Sequence, residues 1–271
     1  HAVVIGGGLL GLEAANGLMK RGMQVTVVHV APWLMERQLD EVAGKLLQQS
    51  LEQRGMRFLM GAQTEALLPA ASGRVGAVRF KAGTTPEPEV PADLVVMAVG
   101  IRPNTALAER MRLHVNRGIV VNDTLQTTTD PRIYAVGECA AHRGIAYGLV
   151  APLFEQGKVL ANHLAEYGIG RYTGSLTSTK LKVTGIDLFS AGEFSGGEGT
   201  EQIVMSDPMG GVYKKLVVKN DTLVGAVLYG DTADGAWYFQ LVKDAQNIHE
   251  IRDHLMFGAS GNTSHVGDVG H

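Results

Sequence analysis

Three glycines near the start of the chain have a spacing that suits phosphate binding. Gly6, Gly8 and Gly11 follow a short apolar run, residues 2–5, and a predicted helix begins directly after them. In a strand–turn–helix unit, the first glycine permits a tight turn, the second lets the backbone approach a pyrophosphate, and the third lets the helix pack on the strand. The helix N-terminus adds unpaired N–H groups. The pattern predicts dinucleotide binding; the alternative is a tight turn that binds nothing.

Two side chains of the predicted helix complete this motif, Leu10 and Glu13. Glu13 is expected on the first turn of the helix, where a negative charge is favourable by ~0.3–1 kcal/mol. Two interpretations stay open: Glu13 stabilises the helix, or it faces the nicotinamide end of a bound cofactor.

The end of the second predicted strand should choose between NADH and NADPH. A carboxylate ~20 residues after the glycines normally binds the adenosine ribose hydroxyls, but His29 stands there. A histidine cannot accept two hydroxyl hydrogen bonds as a carboxylate does, and it is no fixed cation at neutral pH. Arg37, in the following loop, could reach a 2′-phosphate. The nicotinamide preference therefore stays open, and His29 contacting no ligand remains an alternative.

A second candidate site follows a later strand. Residues 93–99 are predicted to form a buried strand, and Gly100 and Ile101 follow it. Ligands of open α/β sheets bind at the carboxyl ends of the strands. Gly100 would let a backbone lie close to a ligand at that edge.

A third candidate site combines an acid with small residues. Residues 133–136 are predicted to form a strand that ends at Gly137 and Glu138. An acid at a strand end can bind sugar hydroxyls. Gln156 lies on the next predicted helix, residues 152–167.

The elements that position these residues predict an α/β fold. Residues 1–104 read as a β-α-β-α-β unit of the doubly wound, Rossmann-like class, with a small antiparallel insertion between residues 65 and 90. Residues 105–170 show too few strands for a sheet of their own and look like half of a domain. Residues 171–257 predict an α+β domain, and residues 258–271 a Gly/Ser-rich mobile tail. In the α+β domain, alternating strands and a hairpin precede two helices, residues 233–245 and 247–256.

Composition narrows the function classes. Charged residues make up 19 % of the 271 residues and the net charge is -3, which gives no support for nucleic acid or an anionic membrane as partner. We recognise no signal peptide and no apolar run long enough to span a bilayer, so we expect a cytoplasmic protein. The single cysteine, Cys139, excludes an all-cysteine metal or iron–sulfur site within this chain, and the histidines show no metal-ligand spacing. We read Cys139 as a small residue of the third candidate site rather than a redox group.

Taken together, these motifs resemble the two-dinucleotide flavoprotein reductases of the pyridine-nucleotide disulfide oxidoreductase superfamily. Residues 6–13 look like the family's NAD(P)H fingerprint, residues 100–104 like its hinge back to the FAD domain, and residues 130–138 like its second FAD motif. The resemblance implies that Glu138 binds the ribityl chain of FAD, where the family usually has Asp. It also implies that the helix of Gln156 runs beneath the flavin.

A narrower resemblance is to the large subunits of NAD(P)H-dependent assimilatory nitrite reductases, on residues 33–40, 137–140 and 179–192. It implies an internal fragment: the NAD(P)H domain, the second half of the FAD domain and a C-terminal interface domain. The first FAD half, the iron–sulfur segments and the sirohaem domain would lie outside this chain.

The function implied is electron uptake, with hydride passing from NADH or NADPH to FAD and electrons then serving nitrite reduction to ammonia in the full-length enzyme. Such a step needs positioning rather than acid–base chemistry, so no catalytic residue is predicted. Expected partners are the two dinucleotides, the missing domains and, in a homodimer, a second copy. The alternatives are a ferredoxin or rubredoxin reductase-like flavoprotein and a non-catalytic dinucleotide-binding or interaction module.

Overall fold

The structure, a computed structural model, describes residues 1–183 and 185–262. Its first sheet is parallel throughout and has the strand order β3-β2-β1-β7. The strands of this sheet are β1 (Ala2–Ile5), β2 (Val25–His29), β3 (Arg57–Met60) and β7 (Leu94–Met97). Strands β1 and β2 are buried along their whole length, as expected of a parallel sheet covered on both faces. The predicted α/β class is confirmed.

Two helices connect these strands, α1 (Leu9–Lys20) and α2 (Glu41–Glu52). Asp40 caps α2, because its Oδ1 accepts a hydrogen bond from the Ala43 N–H at 3.1 Å. This satisfies one of the N–H groups that a helix start leaves unpaired.

The antiparallel insertion is also confirmed. It is a three-stranded sheet of β4 (Thr64–Pro69), β5 (Val75–Phe80) and β6 (Glu89–Pro91). Val78, Phe80 and Val90 are buried in one apolar cluster with residues of β1 and β2. The insertion therefore packs on the parallel sheet rather than standing apart.

Residues 101–177 correct the sequence analysis. They do form a sheet, although its three strands are short: β8 (Val115–Asn116), β9 (Gly118–Val121) and β10 (Ala140–His142). The strand predicted over residues 133–136 is wrong; β10 pairs with β9 instead. The reason is that the preceding loop closes on itself, since Thr127 N–H bonds Ile133 O at 2.8 Å and Ala135 N–H bonds Leu125 O at 3.1 Å. Helices α3 (Ala106–Arg110) and α4 (Val150–Leu164) complete this part.

The C-terminal part is a five-stranded antiparallel sheet of order β11-β12-β15-β14-β13. Its strands are β11 (Ser178–Val183), β12 (Ile186–Gly192), β13 (Glu201–Asp207), β14 (Val212–Lys219) and β15 (Thr222–Tyr229). Helix α5 (Gly235–Asp244) follows as predicted.

The second helix predicted there has a different form. His249–Phe257 is a 3-10 helix, in which the Ile251 N–H bonds the Ile248 carbonyl three residues earlier. A short helix, α6 (Gly258–Asn262), occupies the start of the predicted tail, and residues 263–271 lie outside the described residues.

The chain divides into two compact units. One comprises His1–Gly100 and the described residues from Ser178 onward, and the other comprises Ile101–Thr177. Within the first unit, Tyr213 and Tyr229 of the antiparallel sheet share an apolar cluster with Leu47 of α2. The Tyr213 hydroxyl donates to Asp40 Oδ2 at 2.6 Å. The parallel sheet and the five-stranded antiparallel sheet of this unit therefore share a core.

Candidate dinucleotide site

The glycine loop is shaped by two positions that have no room for a side chain. Gly6 has φ +118°, and a Cβ there would lie 2.2 Å from the Ala98 carbonyl oxygen. A Cβ on Gly11 would lie 1.9 Å from the Gly6 carbonyl oxygen. Gly8 differs, because it has an ordinary extended backbone and no atom within 4 Å of its Cβ position. The loop is thus closed by packing at Gly6 and Gly11 and open at Gly8.

This open position lies where a helix start supplies donors. Gly8 is the N-cap of α1 and has no side chain to satisfy the first N–H groups, which therefore stay available to an anion. Leu10 is exposed beside them. The arrangement can bind a pyrophosphate through backbone N–H groups.

The position of Glu13 corrects one expectation. Helix α1 begins at Leu9, so Glu13 is its fifth residue, and the first turn contains no acid. Because the helix dipole acts mainly within the first turn, the interpretation that the charge of Glu13 stabilises α1 no longer holds. The side chain is exposed, and its role at the nicotinamide end stays a prediction.

His29 is buried against the glycine loop. Its Nδ1 accepts a hydrogen bond from the Gly7 N–H at 3.1 Å, and its Nε2 lies 3.0 Å from Glu36 Oε2. Both ring nitrogens are therefore engaged within the protein, which fits the alternative that His29 contacts no ligand directly. Arg37 is exposed, and we find no polar partner for it in residues 1–183 and 185–262.

The residues of the second candidate site end the first unit and begin the other. Gly100 is exposed and has φ +92°, a conformation that favours glycine. Ile101 is also largely exposed, although its Cδ1 lies 2.8 Å from the Cβ position of Gly148. Their contact with a cofactor stays a prediction.

The third candidate site is held by one side chain. The Gly137 N–H donates to Gln156 Oε1 at 2.9 Å, and Gly137 has φ +95°. Gln156 is fully buried, and its Nε2 has no hydrogen-bond partner. Burial raises the pKa of the neighbouring Tyr172, whose hydroxyl bonds Ser175 Oγ at 2.7 Å.

Two neighbours of this site differ in exposure. Glu138 is exposed, and no ion pair or hydrogen bond of its side chain occurs in the described part of the chain. Cys139 is a half-buried free thiol whose Sγ lies 3.5 Å from the Val136 carbonyl oxygen. A buried orphan donor and an exposed carboxylate suit a polar ligand.

Comparison with known proteins decides the family. The family model for pyridine nucleotide-disulphide oxidoreductases matches residues 1–159, and the model for the rubredoxin NAD+ reductase C-terminal domain matches residues 178–246. The chain belongs to the pyridine nucleotide-disulphide oxidoreductase family. The superfamily resemblance inferred from the motifs is confirmed.

The curated relatives of this oxidoreductase include two proteins of Bacillus subtilis (strain 168). It is 55% identical over 92% of its length to the NAD(P)H nitrite reductase and 48% identical over 86% of its length to the assimilatory nitrate reductase electron transfer subunit. The narrower resemblance is confirmed by these matches. The chain spans 30% and 29% of the two relatives.

A solved structure supports the same fold assignment. The oxidoreductase chain matches putidaredoxin reductase, from its covalent complex with putidaredoxin, with a TM-score of 0.80 and 26% identity. The match covers 96% of this chain and 61% of the reductase chain.

Two residues beside the glycine loop of this oxidoreductase, Glu36 and Gly7, were not predicted from the sequence. Glu36 stands seven positions after His29, in a loop that the sequence did not link to nucleotide binding through this residue, and the structure brings its carboxylate to the imidazole. Gly7 is the glycine between the motif positions, and its N–H binds the same ring. The sequence offered one signal for these contacts: His29 is a polar residue at the end of an otherwise apolar strand.

No group of three or more His, Cys, Asp or Glu side chains is placed to hold a metal ion in residues 1–183 and 185–262. None of the helices in that part of the chain has the length and apolar character needed to cross a membrane.

Proposed function

We propose that this chain binds NAD(P)H at the glycine loop and delivers its electrons to a flavin, as the electron-uptake part of an assimilatory nitrite reductase. One observation carries the proposal: the loop is closed at Gly6 and Gly11 and open only at Gly8. A loop of this shape fits a pyrophosphate, because the backbone at Gly8 can be approached closely. The 55% identity to a protein named NAD(P)H nitrite reductase supports the choice of pathway.

The residues fit both dinucleotides. The backbone N–H groups at the start of α1 would hold the NAD(P)H pyrophosphate, with Leu10 and Glu13 beside them. Gly137, Glu138 and Gln156 would hold FAD: the buried Gln156 Nε2 lacks a partner that a polar ligand atom would supply. Bound together, the two cofactors supply hydride transfer, and the protein contributes binding, orientation and exclusion of water.

Each of three parts of the chain would have its own role. Residues 1–104 would form the NAD(P)H domain, residues 105–170 the second half of the FAD domain, and residues 171–257 an interface domain for redox partners or a second copy. Nitrite reduction itself would need iron–sulfur and sirohaem centres on the parts of the longer protein that this chain does not cover. We place the protein in the cytoplasm, where NAD(P)H is available.

Substitution of Gly8 tests the proposed binding site. Gly8→Ala introduces a methyl group into open space, so the fold is kept while the approach of the phosphates is blocked. We expect its Kd for the nicotinamide dinucleotide to rise about tenfold or more, a loss of about 1.4 kcal/mol. Titration of nicotinamide fluorescence with the purified chain measures the Kd.

Gly17→Ala is the matched control. It also meets no atom within 4 Å, and it lies in α1 away from the loop, so binding should be unchanged. Failure of the unchanged chain to bind either nucleotide would favour a non-catalytic interaction module instead.

A second function, a reductase for rubredoxin or ferredoxin, has its own support. The C-terminal domain matches the rubredoxin NAD+ reductase model, and the chain is 31% identical to the rubredoxin-NAD(+) reductase of Acinetobacter baylyi. The two functions separate in the full-length protein: reduction of nitrite with NADH supports the first, and reduction of added rubredoxin without nitrite activity supports the second.

A further inference from the structure

We propose that Glu36, held in place by His29, is the carboxylate that binds the adenosine ribose hydroxyls, and that the chain therefore selects NADH over NADPH. This assignment rests on the proposed function, because it names the nucleotide that the glycine loop binds. It also explains how a chain without an acid at the end of β2 can still recognise a ribose.

Strand β2 ends at His29, and the Gly7 N–H of the glycine loop donates to His29 Nδ1 at 3.1 Å. The imidazole therefore lies where a Rossmann-like site places its ribose-binding acid, beside the loop that holds the pyrophosphate. A ligand bound at Gly8 would extend its adenosine half toward this edge.

The hydrogen bonds of His29 determine which of its ring nitrogens carries the hydrogen. Because His29 Nδ1 accepts a backbone N–H, it carries no hydrogen, and the hydrogen of the neutral ring is on Nε2. Nε2 donates to Glu36 Oε2 at 3.0 Å. The ring thus joins the glycine loop to a carboxylate and sets the direction of that carboxylate. His29 is a positioning residue, and Glu36 is the group that would touch the nucleotide.

Glu36 retains the capacity to bind a ligand. Its side chain is 32% exposed, and His29 is its only polar partner in the described residues. An ionised carboxylate accepts several hydrogen bonds, so it can accept two more from the 2′- and 3′-hydroxyls of a ribose. The 2′-phosphate of NADPH would replace a donor with a negative charge and would be repelled.

The loop that carries Glu36 is held in an unusual conformation. Met35 is buried and has φ 54°, a left-handed backbone that is unfavourable for a residue with a Cβ and that persists where the surroundings fix it. The Met35 N–H donates to the Gly7 carbonyl oxygen at 3.1 Å. Trp33 Nε1 closes the loop on the Leu39 carbonyl oxygen, also at 3.1 Å.

Arg37, the candidate for a 2′-phosphate, lacks this support. It is exposed, and the described residues offer it no polar partner. Glu36 and Arg37 are adjacent and have opposite charges, but only Glu36 is held in position beside the glycine loop. Arg37 extends into solvent. The side chain that is held in position is the one that favours NADH.

Glu36→Gln tests the assignment. The variant keeps the size of the side chain and an acceptor for His29 Nε2, and it removes the charge. The Kd values of NADH and NADPH are measured by fluorescence titration of the whole chain. We expect the unchanged chain to bind NADH more tightly, and Glu36→Gln to weaken NADH about tenfold without weakening NADPH.

Two further variants make the test specific. Glu52→Gln is the matched control, since Glu52 is exposed on α2 and accepts from Gln48 Nε2; it should leave both Kd values unchanged. His29→Gln should lower the ratio of the NADPH Kd to the NADH Kd. Combined with Glu36→Gln, it should lower that ratio no further than Glu36→Gln alone, because the two residues act through one carboxylate.

Three outcomes would overturn this assignment while leaving the proposed function intact. Tighter binding of NADPH by the unchanged chain, lost in Arg37→Gln, would assign the site to Arg37. Equal weakening of both nucleotides in Glu36→Gln would make Glu36 a support for the loop only, and unchanged Kd values would remove it from the site. Binding of neither nucleotide by the unchanged chain would instead overturn the proposed function, and this assignment with it.

Discussion

The glycine loop of residues 6–11 and the third candidate site, Gly137, Glu138 and Gln156, are held by different kinds of contact. In the loop, backbone oxygen atoms occupy the space that side chains would need. At the third site, one hydrogen bond joins Gly137 to Gln156, and the other end of the same amide is buried without a partner. The first region is fixed by packing and the second by polar groups.

This difference has a consequence for ligand binding. Packing fixes the loop before any ligand arrives, so the loop presents a preformed surface at Gly8. At the third site, burial of an unpaired donor costs about 1–3 kcal/mol, and a ligand that bonds Gln156 Nε2 would recover that cost. We infer that the first region recognises a shape, and that the second is stabilised by what it binds.

The same substitution in both regions should give opposite results. Gly11→Ala places a Cβ 1.9 Å from a backbone oxygen, which no rotamer relieves, so we expect a loss of about 3 kcal/mol or more. Gly157→Ala, in α4, meets no atom within 4 Å and should raise the free energy of unfolding by about 0.5–1 kcal/mol through helix propensity. Urea unfolding of each variant measures both values, and similar losses at the two glycines would contradict the comparison.

The glycine loop was predictable because its rule is local. Gly6, Gly8 and Gly11 have roles set by one strand, one turn and one helix, all within twenty residues. The apolar strands and helices of the first unit were predictable for the same reason, since each carries its own periodicity. Strands β14 and β15 form the predicted hairpin, and its turn residues Asn220 and Asp221 are again a local signal.

The rest depends on contacts that no local pattern contains. The strand expected at residues 133–136 has the right composition, but the loop before it uses the backbone groups of Ile133 and Ala135. Glu36 reaches the site only because Met35 adopts a left-handed backbone and because His29 is oriented by Gly7. Neither condition can be read from residue types and spacing.

Substitution of Asp40 tests whether apolar packing alone stabilises the first unit. Its Oδ1 caps α2, while its Oδ2 accepts from the Tyr213 hydroxyl and lies 3.5 Å from the buried Lys215 Nζ. Burial, with the neighbouring Asp40 carboxylate, raises the pKa of Tyr213 and keeps its hydroxyl a donor. Asp40→Ala removes the cap and both partners, so we expect a loss of about 2–3 kcal/mol.

Asp40→Asn separates the two contributions. Asparagine caps a helix as well as aspartate does but carries no charge for Lys215, so the loss should be about 1 kcal/mol. Urea unfolding followed by Trp33 and Trp237 fluorescence measures it. A negligible loss in both variants would mean that apolar packing alone holds the parallel sheet and the five-stranded sheet together.

The smallest effect on stability is expected when the pH is lowered, and it concerns Asp123 in the second unit. Asp123 Oδ2 lies 2.8 Å from an Arg143 guanidinium nitrogen, and its Oδ1 lies 2.8 Å from Nε2 of the buried His142. Hydrogen bonds from Arg143 and then His142 lower the pKa of Asp123 from 3.8 to about 2. Since the folded state holds this proton less tightly than the unfolded chain, the carboxylate stabilises the fold above about pH 4, and that contribution disappears as the pH falls to about 2.

Asp123→Asn should therefore destabilise the second unit at neutral pH and remove this part of its pH dependence between pH 4 and 2. Solvent exposure of the ion pair keeps the effect modest. Hydrogen exchange at the amides of β9 measures it locally. Asp130 also has a pKa lowered to about 2, chiefly by its hydrogen bond to Arg132. Because Asp130 is present in the unchanged chain and in Asp123→Asn, its contribution cancels when the two pH profiles are subtracted. Parallel pH profiles for the two proteins would show that Asp123 does not hold this unit, and would weaken the contrast between a region fixed by packing and one fixed by polar groups.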